Sequence, residues 1–264
     1  MKRVFAFAIL ALALFVTVAP AHDTWIQCDP PVVPAGRVLS VHMTNGAKFP
    51  VLESAPDAER VAKAEWRIGD KRGTITDFKT VDKSLVASGR VTTDGVGVIA
   101  VEFKPKEVEL SPENVSEYLE EVAAPESVRR AHEKDGAAAG WHETFTKHAK
   151  TYVRIGSGGD AKGALGTVGF SIDFLPDSDP TKLKVGDTLA MKVIRGGMEL
   201  ESSPVFVVCA ATGESVMPRT NKAGMILVKI TSPGWWMVRT TQLRRQSAGV
   251  WESDFTTMTF YVEK

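Results

Sequence analysis

The chain has 264 residues, with 32 Lys plus Arg balancing 32 Asp plus Glu, five histidines and two cysteines. It lacks the basic surplus expected of a nucleic-acid binder. Cys28 and Cys209 lie far apart, which excludes a thioredoxin-like or Cys-rich zinc site.

Lys2 and Arg3 precede an apolar run from Val4 to Val18, and Ala19 and Ala21 form the A-x-A pattern read by signal peptidase. The run is short for a bilayer span. Residues 1–21 are therefore expected to be a cleaved signal peptide, and the mature protein to be periplasmic. Residue 22 is not Cys, so no lipid anchor is expected. Cleavage after Ala21 would make His22 the first residue. An α-amine near pKa ~7.7–8.0 and an imidazole near ~6.5 would then sit on one residue, a pair able to chelate a transition metal.

Thr24 to Cys28 reads as a strand stopped by Asp29-Pro30-Pro31. Val38 to Met43 reads as its antiparallel partner, with Leu39, Val41 and Met43 on one face and Ser40 and His42 on the other. Folding the two together is expected to set residue 42 or 43 opposite 22 or 23. Short alternating runs follow over 64–68, 73–76, 85–87 and 96–103, at the spacing of a β-sandwich. Ser111-Pro112-Glu113 opens a helix with Val115, Tyr118, Leu119 and Val122 as its apolar stripe. A second helix runs from Glu126 to Asp135, and Trp141 to Tyr152 leads back into β structure at Val153 to Ile155. Gly156 to Gly169 marks a boundary. Beyond it, about seven strands fit an immunoglobulin-like sandwich. The fold class expected is all-β: two immunoglobulin-like β-sandwich domains over 22–160 and 167–264, the first with a helical insertion about 111–150. Cys28 and Cys209 could form one disulfide or remain two separately buried thiols.

Several stretches carry a family resemblance: Ala21-His22-Asp23-Thr24-Trp25-Ile26, Gly46-Ala47-Lys48-Phe49-Pro50, His148-Ala149-Lys150-Thr151, Asp179 to Asp187, and Trp251-Glu252-Ser253-Asp254-Phe255. With them, nearly all of the chain after Ala21 resembles a family of bacterial periplasmic proteins of unknown function associated with nickel and cobalt uptake. The resemblance implies a mature N-terminal histidine, two β domains and a role in metal transport. Members often carry Gly-His where this chain has Gly46-Ala47, so one candidate ligand is missing.

Imidazole and amine nitrogens suit Ni, Co, Cu and Zn. His22 and His42 are the pair expected to bind metal, giving three nitrogens in the manner of a copper histidine brace. Asp23 would add an oxygen or support the ligands. The alternative is a frayed end at His22 and an exposed strand residue at His42. His148 is a further candidate, sharing a face with His142 if that segment is extended; His132 is expected to be solvated. No G-x-S-x-G, H-E-x-x-H or Walker loop occurs, so no catalytic residue is assigned. The expected function is non-enzymatic: a divalent-metal-binding component (Ni, Co or Cu) of a nickel/cobalt uptake system, with an inner-membrane transporter as partner. The other readings are a periplasmic copper protein and a metal-free structural or ligand-docking sandwich.

Overall fold

Alternation of apolar and polar residues forms the first hairpin. In the computed structural model, which describes residues 22–264, strand Asp23–Asp29 pairs antiparallel with Val38–Gly46. Ser84–Arg90 and Lys79–Val81 complete a four-stranded sheet. Leu39, Val41 and Met43 enter the core as their spacing predicts, and His42 faces outward. The expected leader over 1–21 lies outside the described residues. The register differs from expectation: Asp23 stands opposite Gly46, and His42 stands opposite Gln27. The reason is the connection. Val32–Val33 leaves the hairpin to pair in parallel with Arg154 and Ile155 of another sheet, so the turn is wide and the second strand, which begins at Val38 as expected, runs on to Gly46.

A second sheet runs through both halves of the molecule. Its main path is Lys71–Thr74, Val61–Ile68, Gly95–Phe103, His142–Ile155, Val250–Val262, Gly234–Ser247, Phe206–Cys209 and Ser215–Val216. The pairing that joins the halves is parallel, from His142↔Val250 to Thr151↔Thr259. A third, smaller sheet is built around Thr188–Arg195, flanked by Ile172–Pro176 and Met225–Lys229. The first sheet packs on one half of the shared sheet and the third on the other, giving two immunoglobulin-like sandwiches.

The first core gathers Ile26, Met43, Leu85, Ile99 and Val153; the second gathers Phe174, Leu189, Met191, Trp236 and Phe260. Trp235 and Trp236 point to opposite faces, and Trp236 is the buried one. The Gly-rich stretch over 156–169 holds a short helix, Lys162–Leu165, and leads into the third sheet. The second core also draws Val96, Val98 and Tyr152 from strands that precede this stretch, so the halves share side chains as well as a sheet.

The helices are Pro112–Glu121 and Glu126–Asp135. The helical insertion, closed by a 3-10 turn at Ala137–Ala139, therefore ends at Ala139 rather than near 150, because His142–Ile155 is one continuous strand. Tyr118, Leu119 and Val128 pack with Trp141 against Leu243, Trp251 and Phe255 of the C-terminal hairpin. Trp141 and Trp251 stack with centroids 4.5 Å apart. The buried Glu143 carboxylate accepts hydrogen bonds from Tyr118 Oη at 2.7 Å, Trp141 Nε1 at 2.8 Å and the Ser253 hydroxyl, which fastens the helices to the shared sheet. His132, expected to be solvated, packs edge-on against Trp141.

Candidate functional site

Strand Asp23–Asp29 lies at the edge of its sheet, and an edge strand's buried carbonyls need partners. Two threonines of Val250–Val262 supply them. Thr257 Oγ1 donates to the Thr24 carbonyl at 2.6 Å, and Thr259 Oγ1 donates to that of Ile26. Positions 257 and 259 share a face because a strand repeats every two residues. Trp25 is fully buried, edge-on to Phe49 at 5.6 Å. Gly46, opposite Asp23, has no room for a side chain: a Cβ there would lie 2.7 Å from the Trp25 ring and 3.0 Å from Glu53. The start of the strand is thus held by both halves of the molecule.

His22 sits at this fixed end, half-buried, and among the described residues its ring has no hydrogen-bond partner. Lys147 Nζ donates to the His22 carbonyl and lies 5.6 Å from the Phe145 ring centre and 5.8 Å from that of Phe255. Burial pulls the Lys147 amine down to about 8, against an opposing pull from Asp23. The Asp23 carboxylate pairs with Arg239 Nε at 3.0 Å, and that guanidinium lies 3.9 Å above the Phe206 ring. Burial raises the Asp23 pKa, while Arg239, Lys147 and His22 draw it back. Glu53 accepts from the backbone N–H groups of Lys48 at 3.0 Å and Ala47 at 3.1 Å. Those bonds hold its carboxyl below the ordinary range, and the charge of His22 adds to the effect. An imidazole without a hydrogen-bond partner among the described residues, a half-buried carboxylate and a buried lysine held at about 8 therefore share one end of the strand.

The other expected ligands are elsewhere. His42 is opposite Gln27, five positions along the strand from His22, or roughly 17 Å at ~3.3 Å per residue. The register of the hairpin removes it from the His22 end. His148 follows Lys147 in an extended strand and so faces the other way. It is buried against Phe170, its Nε2 lies 2.9 Å from Ser171 Oγ, and Ser171 donates to Asp254 at 2.7 Å. Arg244 completes that network with a 2.8 Å bond to Asp254. Burial alone would raise Asp254, but the His148 ring 3.7 Å away and the hydrogen bonds from Ser171 and Arg244 hold it at about 2. Asp23 stays beside His22 but is engaged by Arg239. Among the described residues, no group of three or more His, Cys, Asp and Glu side chains could hold a metal. Cys28 and Cys209 are buried free thiols, and burial pushes that of Cys28 up.

Glu53, Lys147 and Arg239 were not legible as site residues, since each belongs to a segment far from residue 22 in sequence. The hairpin register brings Glu53 to the site, strand His142–Ile155 brings Lys147, and the sheet shared by the halves brings Arg239. Among solved structures, the chain is similar to a bacterial ice-binding adhesin (11% identity, TM-score 0.26), covering 92% of this chain and 65% of that one. It is also similar to murine CEACAM1b (8%, TM-score 0.21; 91% and 99% covered). An amphioxus IgVJ-C2 molecule gives 8% identity and a TM-score of 0.22, with 88% and 99% covered. The chain thus spans 65% of the adhesin's length. No curated protein matches the chain. The family model of a domain of unknown function, DUF4198, matches residues 19–244, and the chain belongs to that family.

Proposed function

We propose that this protein is a non-enzymatic, exported binder of a divalent transition metal, serving nickel or cobalt uptake from the periplasm, with the metal as cargo. The observation that carries this reading is the placement of His22, its ring without a hydrogen-bond partner among the described residues, at the strand end opposite which Gly46 packs on Glu53. After cleavage behind Ala21, the donor set would be the His22 amine and imidazole with the Glu53 carboxylate as an oxygen ligand. Such nitrogen-rich sets suit Ni, Co and Cu over Mg or Ca. Asp23 then acts as a positioning residue, tied to Arg239. A site whose backbone is already ordered loses little entropy on binding.

Two measurements test the reading together. The mass of the secreted protein should place its first residue at His22. A deletion strain should lose growth under nickel or cobalt limitation and recover with either metal in excess. A mature chain starting elsewhere, or a strain dependent only on copper, would defeat it.

A further inference from the structure

Strand Asp23–Asp29 meets the shared sheet through its backbone oxygens. Carbonyls of alternate residues point the same way along an extended strand, and three in succession are taken here by side chains of the shared sheet. Lys147 Nζ donates to the His22 carbonyl, Thr257 Oγ1 to that of Thr24 at 2.6 Å, and Thr259 Oγ1 to that of Ile26. Two of the three donors are neutral hydroxyls. The third, at the end where His22 stands, is an amine.

That amine is fixed in place. Its nitrogen lies 5.6 Å from the Phe145 ring centre and 5.8 Å from that of Phe255. Asp23 attracts it, but the Asp23 carboxylate is in contact with Arg239 Nε at 3.0 Å. Lys147 therefore serves the carbonyl. The donors at this end of the strand are sorted as a result. Lys147 occupies the His22 carbonyl, Arg239 the Asp23 carboxylate and Thr257 the Thr24 carbonyl. Both backbone bonds to Glu53 end on Oε1, which leaves Oε2 for a cation. The His22 ring has no hydrogen-bond partner among the described residues.

A histidine that begins a chain can chelate in two ways. It can use its amine with its own carbonyl oxygen, as any residue can, or its amine with its imidazole. Carbonyl oxygen suits Mg, Ca and Mn, whereas imidazole suits Ni, Cu and Zn. We infer that Lys147 is a specificity-determining residue of the His22 site. By holding the His22 carbonyl it closes the oxygen chelate and leaves the nitrogen one, so that Mn²⁺ and other oxygen-seeking cations are rejected in favour of Ni²⁺ and its neighbours. This inference rests on the metal reading above, in which His22 starts the mature chain.

Titrations of Ni²⁺ and Mn²⁺ into protein beginning at His22 test it, in the parent, Lys147→Met and Lys147→Arg forms. Lys147→Met removes the donor while keeping an apolar chain beside the rings. It should tighten Mn²⁺ at least about tenfold, ~1.4 kcal/mol, with Ni²⁺ held within about threefold. Lys147→Arg restores a donor and should keep the parent's ratio of the two affinities. A measurement on the parent decides the matter if the variants fail to fold. With isotopically labelled lysine, the Lys147 amine resonance should keep its hydrogen-bonded position when Zn²⁺ fills the site. An unchanged ratio in folded Lys147→Met, a ratio in Lys147→Arg as low as in Lys147→Met, or collapse of the Lys147 resonance to that of a solvated lysine would overturn the role of Lys147 and leave the metal reading standing. A parent chain that binds neither Ni²⁺ nor Zn²⁺ would overturn both.

Discussion

The two faces of strand His142–Ile155 treat their charged side chains in opposite ways. On one face Lys150 is buried and paired with Asp173, Nζ to Oδ1 at 2.6 Å. Asp173 also accepts from the Val168 N–H at 3.0 Å and Thr167 Oγ1 at 3.2 Å. Two residues earlier, His148 is enclosed by Ser171, Asp254 and Phe170. On the other face Lys147 has a carbonyl and two aromatic rings for company, and no ion-pair partner among the described residues. Burial lowers both lysines, but only Lys150 has a carboxylate in contact to restore its charge. The Lys150–Asp173 pair is closed on itself, whereas His148 keeps a buried Nδ1 without a hydrogen-bond partner, 3.6 Å from Glu102. The network of the other face lies open beside His22, where a ligand could finish it.

The largest effect should come from breaking a completed pair. Asp173→Ala would leave Lys150 buried without its counterion and should cost about 3–5 kcal/mol in urea unfolding. Lys150→Met with Asp173→Leu should recover most of that loss, since an apolar pair of similar volume replaces the charges. A full penalty in the double variant would show that packing, and not the unpaired ammonium, sets the cost. Next in size is the contrast between the two histidines. His22→Ala should weaken Ni²⁺ or Co²⁺ binding by about 100-fold, ~2.7 kcal/mol, whereas His148→Ala should leave affinity within about threefold. Equal losses in both would erase the distinction between the faces. His148→Ala should instead appear in stability, at about 1–3 kcal/mol, because Ser171 loses a partner and Phe170 a neighbour.

The smallest effect is titration of the enclosed network. Asp254 is held at about 2, below the ordinary carboxylate range, so its contribution is complete above the unfolded-state pKa. It should be lost as pH falls through about 4 toward about 2. After allowance for partial solvent screening, the loss is about 1–2 kcal/mol, and it should disappear in Asp254→Asn. Acid unfolding of Asp254→Asn with the same slope as the parent would contradict this assignment.

Much of the fold was legible because it rests on local alternation. The inward set Leu39, Val41 and Met43 and the helix Glu126–Asp135 follow from side-chain period and stop signals. The long hairpin was only half visible. Residues 241–255 are mostly polar, and they hold strand structure through cross-strand pairs such as Arg244 with Glu252, 2.9 Å apart. The parallel pairing of His142–Ile155 with Val250–Val262 has no local signature, and it sets which side chains surround His22. Asp23 is expected from the sequence to add an oxygen or support the ligands, and its carboxylate pairs with Arg239, 216 positions away in sequence. His42 was misplaced because hairpin register depends on the connection, and Val32–Val33 gives that connection a partner of its own.

The central claim is that His22 grips metal through a freed amine and its own imidazole. It is tested most directly by titrating Ni²⁺, Co²⁺ and Cu²⁺ into protein beginning at His22 and into protein retaining Ala21. The account predicts one tight site in the first form and an affinity at least about 100-fold weaker in the second, ~2.7 kcal/mol. Equal affinity in the two forms would contradict it.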